Sequence, residues 1–287
     1  MNNILEVNNL VKKYDSFSLK DVSFKVPTGL IMGFIGQNGA GKTTTIKSIL
    51  NMITPDTGSI NLFGLDNRIN TKQINEQIGV VLDVPFFVDE WNINDVENAL
   101  SPFYSQWEHQ KFTELLNRFG IDKKKKINEL SRGMKVKLMI SVALSHNAKL
   151  LILDEPTSGL DPVARDELCD LLSDFVSDET NSVLFSTHIT SDLEKIADYI
   201  TFIFDGQIIF TGLKDDFLEK YLIIKGGLDE ITAEQKEAII GFREHQTGFE
   251  GMIEATHANK LPKTLLFERP TLEEIIVFMN KGGKHNE

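Results

Sequence analysis

The chain has 287 residues, of which 41% are hydrophobic and 25% charged, and its formal net charge is −12. That length accommodates one large α/β domain and a small second one, and the mixture is globular rather than disordered. The acidic balance works against unassisted binding to a nucleic-acid backbone or an anionic lipid surface. A single cysteine, Cys169, excludes a disulfide framework within one chain and fits a reducing cytoplasm. The N-terminal "MNNILEVNNL" has neither a basic segment nor a long apolar run, so no signal peptide is expected. Apolar runs such as "YITFIF" (199–204) fall far short of the roughly 20 residues a bilayer span needs, so any membrane role is expected to come through a partner.

In chain order, "ILEVNNL" and "VSFKV" read as strands, the second with Val22, Phe24 and Val26 on one buried face. "LIMGFIG" is an apolar strand running into a glycine loop, and a helix is predicted from Thr43 to Met52, ahead of Pro55. "GSINLFG" and "IGVVLD" continue as strands. From Pro85 to about Leu144 the pattern turns helical and contains both tryptophans, Trp91 and Trp107. Ser131 stands where a helix N-cap belongs, with Gly133 in the first turn and Met134, Leu138 and Met139 at helical spacing. "LLILDE" and "SVLFSTH" are apolar strands separated by a helix that opens with Asp161 as cap and Pro162 at the first position. Ser191 with Glu194 predicts a capping box, and "YITFIFDGQIIFTG" a hairpin about Asp205-Gly206. Beyond residue 212 a charged, mixed segment (213–287) reads as a small appendage, closing on a helix with Thr271 and Glu274 as its capping box.

The chemistry concentrates in two stretches. "GQNGAGKTT" matches G-x-x-x-x-G-K-S/T between a strand and a helix. Glycines at 36, 39 and 41 let backbone N–H groups curl around a phosphate, with Asn38, Ala40 and Thr44 in the same cradle. Lys42 supplies a point charge to the β/γ-phosphates and Thr43 a hydroxyl for Mg²⁺. "LLILDEPTSGLD" delivers Asp154 to the carboxyl end of a strand, where it can hold Mg²⁺, and Glu155 one residue on, where a carboxylate can orient water. His188 ends another strand. Its position alone serves a γ-phosphate contact and a capping or exposed histidine equally well. Tyr14 is open between a structural residue and an adenine-stacking one. The free N–H groups at the Ser131 helix start make a second anion site.

In order and spacing, these motifs over roughly residues 4–212 resemble the nucleotide-binding subunit of an ABC transporter. The resemblance implies a P-loop NTPase fold with an ABC-type α/β core: a mostly parallel sheet, N-terminal antiparallel strands and a helical subdomain at about 85–145. A small C-terminal α/β appendage would complete it. It implies Mg-dependent ATP hydrolysis with Glu155, His188 and Lys42 as catalytic groups, and Tyr14 as the adenine-stacking aromatic. "LSRGM" (130–134) resembles the family's L-S-G-G-Q signature, so Ser131 and Gly133 would bind ATP held by a second copy. Arg132 and Met134 depart from that signature. Asp83 stands where the family has a glutamine; it would join Thr43 and Asp154 as a metal ligand, crowd Asp154 and Glu155, and raise the dependence on Mg²⁺.

Partners implied by the resemblance are a second copy or a related ATPase, and an integral membrane permease. The localisation implied is the cytoplasmic face of the membrane, and no nucleic-acid partner is expected. Phe86, Phe87 and Trp91 read as core of the helical subdomain or as part of the groove that receives the permease. Lys123 to Lys126 read as a solvated loop. The signature and the closing "ERPTLEEIIVFMNKG" resemble the ABC-2-type exporters of peptides and antibiotics, including those that carry amphipathic toxin peptides such as phenol-soluble modulins. Two other readings stay open: a soluble ABC ATPase acting on nucleic acid or ribosomes, and a nucleotide-sensing module without turnover.

Overall fold

The computed structural model describes residues 2–84 and 86–282. Two compact units divide the chain, Met1–Thr211 and Gly212–Glu287. Pro85, read from sequence as the start of the helical stretch, lies outside the described residues.

The first unit begins with β1 (Asn3–Lys13) and β2 (Ser18–Pro27), paired antiparallel. Val22, Phe24 and Val26 alternate into the core as the pattern requires. β3 (Ile31–Ile35) is buried throughout and feeds α1 (Lys42–Ile49). That helix stops short of Met52 because Asn51 takes a left-handed φ of 55°, a stop that asparagine tolerates. β4 (Thr57–Leu62) returns to pair with β1, and β5 (Leu65–Asp66) completes this antiparallel sheet in the order β2-β1-β4-β5.

After α2 (Thr71–Asn75) and β6 (Ile78–Val81) come three helices, α3 (Ile93–Leu100), α4 (His109–Arg118) and α5 (Arg132–Leu144). They close over their own apolar centre, built from residues such as Ile93, Val96, Phe112, Leu116, Ile127 and Leu138, with Phe87 and Trp107 against it. Phe86, Trp91 and Phe103 instead stay exposed. Lys123 is not the solvated residue the run suggested. Its ammonium donates to Glu97 Oε2 and Thr113 Oγ1, both at 2.9 Å, because Glu97 is buried and needs a counter-charge.

β7 (Leu150–Asp154), α6 (Pro162–Val176), β8 (Ser182–Thr187), α7 (Thr190–Ile196), β9 (Tyr199–Phe204) and β10 (Gln207–Leu213) complete the main sheet, ordered β10-β9-β3-β8-β7-β6. From β9 to β6 every neighbouring pair is parallel. Asp161 caps α6 through the N–H groups of Val163 and Ala164, both at 3.0 Å. Asp205 and Gly206 turn the β9–β10 hairpin with positive φ at both positions. The Ser191–Glu194 capping box does not form: α7 starts at Thr190, and the preceding Ile189 N–H is taken by the Thr187 hydroxyl at 2.9 Å.

The second unit holds α8 (Lys214–Glu219), β11 (Tyr221–Gly226), α9 (Ala233–Glu237), β12 (Ile240–His245), β13 (Gly248–Glu254), β14 (Leu266–Glu268) and α10 (Leu272–Gly282). Its sheet, β12-β13-β11-β14, is antiparallel with β11 inserted between β13 and β14, so its helices are not woven between parallel strands. Thr271 and Glu274 form the capping box of α10, each accepting the other's backbone N–H. Gly241, at φ 64°, lets β12 lie against α10; a Cβ there would stand 2.7 Å from the Phe278 carbonyl oxygen.

Candidate active site

Parallel register sets the site. Ile35, the last residue of β3, lies opposite Thr187 at the end of β8, and Asp154 at the end of β7 lies opposite Ser186. Val81 of β6 lies opposite Leu153. The residues that follow these strand ends, Gly36, Glu155, His188 and Asp83, therefore emerge along one edge of the sheet, where open α/β folds bind ligands.

Glycine is required in the cradle by close approach. A Cβ on Gly36 would stand 2.5 Å from the Ile203 carbonyl oxygen. Gly41 has φ 112°, and a Cβ there would meet Leu19 at 2.5 Å and Phe17 at 2.9 Å. At Gly39, φ is 84° but a Cβ would meet nothing within 4 Å, so the loop opens to solvent on that side. Phe17 belongs to the same turn as Tyr14, whose N–H donates to the Phe17 carbonyl at 2.8 Å, so the half-exposed Tyr14 is tied to a residue packed on the cradle.

Lys42 is only 5% exposed. Its ammonium donates to the Gly36 carbonyl at 2.7 Å and to that of Gln37 at 3.3 Å, and lies 3.3 Å from Glu155 Oε1. Asp154, 3% exposed, accepts from the Thr43 hydroxyl at 2.9 Å and from Ser186 Oγ at 3.0 Å. Burial raises its pKa, and those two hydroxyls oppose the shift. Glu155 adopts a left-handed φ of 52°, a strained state for a residue other than glycine. Its N–H donates to the Ser186 carbonyl at 2.9 Å, and His188 Nδ1 lies 2.7 Å from its Oε2. Lys42, Thr43, Asp154, Glu155 and His188 thus form one continuous polar chain.

Asp83 is not part of that chain. The carboxylate that acts on Asp154 is Glu155, while the Asp83 carboxylate is held by the Arg132 guanidinium. Among the described residues the charged group paired with Asp83 is thus Arg132 rather than a second carboxylate. Ser131 does cap α5, accepting the Met134 N–H at 3.3 Å, and Gly133 lies in the first turn. Sequence reading missed Ser186, whose only signal is a hydroxyl near the end of an apolar strand. It also missed the Arg132–Asp83 pair, whose members stand 49 positions apart.

The donor set fits a Mg-nucleotide. Thr43 and Asp154 present hard oxygens, which Mg²⁺ takes together with phosphate and water oxygens. Among the described residues no group of three or more His, Cys, Asp or Glu is gathered to hold a metal ion.

A family model described as "ABC transporter" matches residues 19–158. The bacitracin transport ATP-binding protein BcrA of Bacillus licheniformis is 37% identical over 214 residues, 73% of this chain and 69% of that protein. This chain belongs to the ABC transporter family. The lantibiotic transport ATP-binding protein SrtF of Streptococcus pyogenes is 34% identical over 72% of this chain and 89% of its own length. A solved ATP-binding subunit of an ABC transporter superposes with a TM-score of 0.67 at 29% identity, over 74% of this chain and 91% of that one. The protein is accordingly a Mg-dependent ATPase of the P-loop class, of the kind that dimerises and works with a membrane permease. Among the described residues no helix is long and apolar enough to cross a membrane.

Proposed function

We propose that this chain powers the export of peptides or other antimicrobial compounds through a separate permease, bound peripherally at the cytoplasmic face of the membrane. The bacitracin and lantibiotic relatives support that cargo class. The exposed Val84, Phe86, Val88 and Trp91 supply an apolar surface, beside the strand end that carries Asp83, for a permease segment to cover. Two copies would close on ATP, each cradle facing the other copy's Ser131 and Gly133. What carries this reading is the polar chain from Lys42 to His188, which supplies every group that in-line phosphoryl transfer to water needs from one subunit.

In that reading Tyr14 stacks on adenine, and the N–H groups from Gly36 to Thr44 hold the β-phosphate. Lys42 exchanges its carbonyl and Glu155 contacts for β/γ-phosphate oxygens. Glu155, freed from Lys42, orients the attacking water, and His188 holds the Glu155 carboxylate in place and faces the γ-phosphate. Mg²⁺ held by Thr43 and Asp154 neutralises the charge on the phosphates. Catalysis is then positioning and electrostatics, without a covalent enzyme intermediate.

Glu155→Gln tests the scheme. It is expected to lower ATP turnover at least about 100-fold while Mg-ATP drives the variant into a stable dimer. Rapid turnover by that variant, or a monomer in saturating Mg-ATP, would refute it.

A further inference from the structure

The N-terminus of α5 carries the wrong charges for a helix start. Arg132, Lys135 and Lys137 lie in its first two turns, and no acid stands in the first turn to offset the positive end of the dipole. Each cation is answered from another segment. Arg132 pairs with Asp83 and Lys135 with Asp89 at 3.5 Å, both on the stretch between β6 and α3; Lys137 pairs with Glu167 of α6 at 2.6 Å. The Arg132 stem also lies on Gly159, where a Cβ would come within 3.1 Å of its Cδ, and a Cβ on Gly133 would stand 3.3 Å from Leu160. Asp83 and Arg132 are therefore matched departures from the family pattern: the acid that replaces glutamine meets the cation that replaces glycine.

We infer that Asp83 is a positioning residue. With Asp89 it forms a charge clamp on Arg132 and Lys135 that fixes the pose of the α5 N-terminus, so that Ser131 and Gly133 are presented already oriented to the nucleotide held by the second copy. The inference rests on the two-copy reading proposed above. The clamp is built where the helix dipole disfavours its cations, and both residues of its principal pair are about half exposed, at 46% for Arg132 and 51% for Asp83. Such a pair orients a surface more than it stabilises a fold.

Full-length chains carrying Glu155→Gln provide the assay, with Mg-ATP-driven dimerisation followed by analytical ultracentrifugation. A half-exposed ion pair is worth up to about fivefold, and a dimer closes two such lids. Asp83→Asn is therefore expected to weaken dimer association by up to about 25-fold, without lowering the melting temperature of the free chain. Arg132→Gln should do the same, the double variant should be no worse than either single one, and Asp83→Glu should restore most of the loss. The advantage of the parent over Asp83→Asn should shrink at about 1 M salt, where screening acts within a few ångströms. If the parent dimerises but the two single losses simply multiply in the double variant, the clamp is wrong while the two-copy reading stands. If the Glu155→Gln parent itself stays monomeric, the two-copy reading fails and the clamp falls with it.

Discussion

The cradle and the α5 N-terminus handle charge in opposite ways. Lys42 and Asp154 are almost fully buried, and each is satisfied inside its own chain by carbonyls, hydroxyls and Glu155. Arg132 and Asp83 leave half of their surface in water, and Ser131 is exposed. A buried charge must be fully compensated before any ligand arrives, or burial itself would neutralise it. A group that meets its ligand on another molecule has to stay at the surface and can only be aimed. In the proposed two-copy site, the contrast assigns preorganisation by packing to the half that grips phosphate, and preorganisation by ion pairs to the half that would cover it.

Asp154→Asn should break the buried half with the largest effect. ATP turnover is expected to fall at least about 100-fold, the scale of a lost electrostatic contact to a transferring phosphoryl group. The same change should leave the metal-free protein as heat-stable as before or more so. Burial raises the Asp154 pKa above its unfolded value, so the folded chain binds the proton more tightly, and the charged carboxylate costs stability at every pH above about 4. Asparagine removes that cost, keeps an oxygen to accept from one of the Thr43 and Ser186 hydroxyls, and presents an amide N–H to the oxygen of the other. Parallel measurement of turnover and of melting in EDTA checks both parts, and a large drop in melting temperature would show that the site is compensated less completely than the structure shows.

The exposed half should yield smaller, complementable losses. A hydrogen bond to a charged phosphate is worth about 10- to 100-fold, so Ser131→Ala should reduce turnover by that factor. Mixed with an inactive Lys42→Ala chain, Ser131→Ala chains should recover activity, because the heterodimer rebuilds one intact cradle beneath one intact lid. Absence of recovery, with heterodimers present, would place Ser131 and Lys42 in the same chain's site.

This contrast also explains what could be read from sequence. Glycines 39 and 41, Lys42, Asp154 and the caps at Ser131, Asp161 and Thr271 were legible because local chemistry dictates them: a turn needing positive φ, an unpaired helix N–H, an apolar strand with one acid at its tip. Ser191 misled because its spacing to Glu194 fits a capping box, while the competing donor–acceptor pair, Thr187 with Ile189, depends on where β8 ends. The Arg132 partner of Asp83 was illegible for a related reason. The sequence places Asp83 near the carboxylates of the site, but its partner comes from a helix whose approach only tertiary packing sets. Phe86 and Phe87, adjacent in sequence, separate into an exposed ring and one against the core of the helical subdomain, a division that no composition rule could make.

His146 sharpens the comparison with a third case, a titratable group buried without an ionic partner. It is 1% exposed, its ring lies flat on Tyr104 with centroids 3.9 Å apart, and its Nδ1 has no hydrogen-bond partner. Burial pushes its pKa down from 6.5 to about 4. The unfolded chain therefore takes up a proton as the pH falls through 6.5, whereas the folded chain takes it up only near 4, so acid favours unfolding across that window. Between pH 7.5 and 5 this one residue should remove about 2 kcal/mol of stability. His146→Phe keeps a flat ring against Tyr104 and has no proton to bind. Unfolding free energies from urea titrations at the two pH values should diverge for the parent by about that much more than for the variant, and an equal pH dependence would mean that the imidazole reaches water in solution.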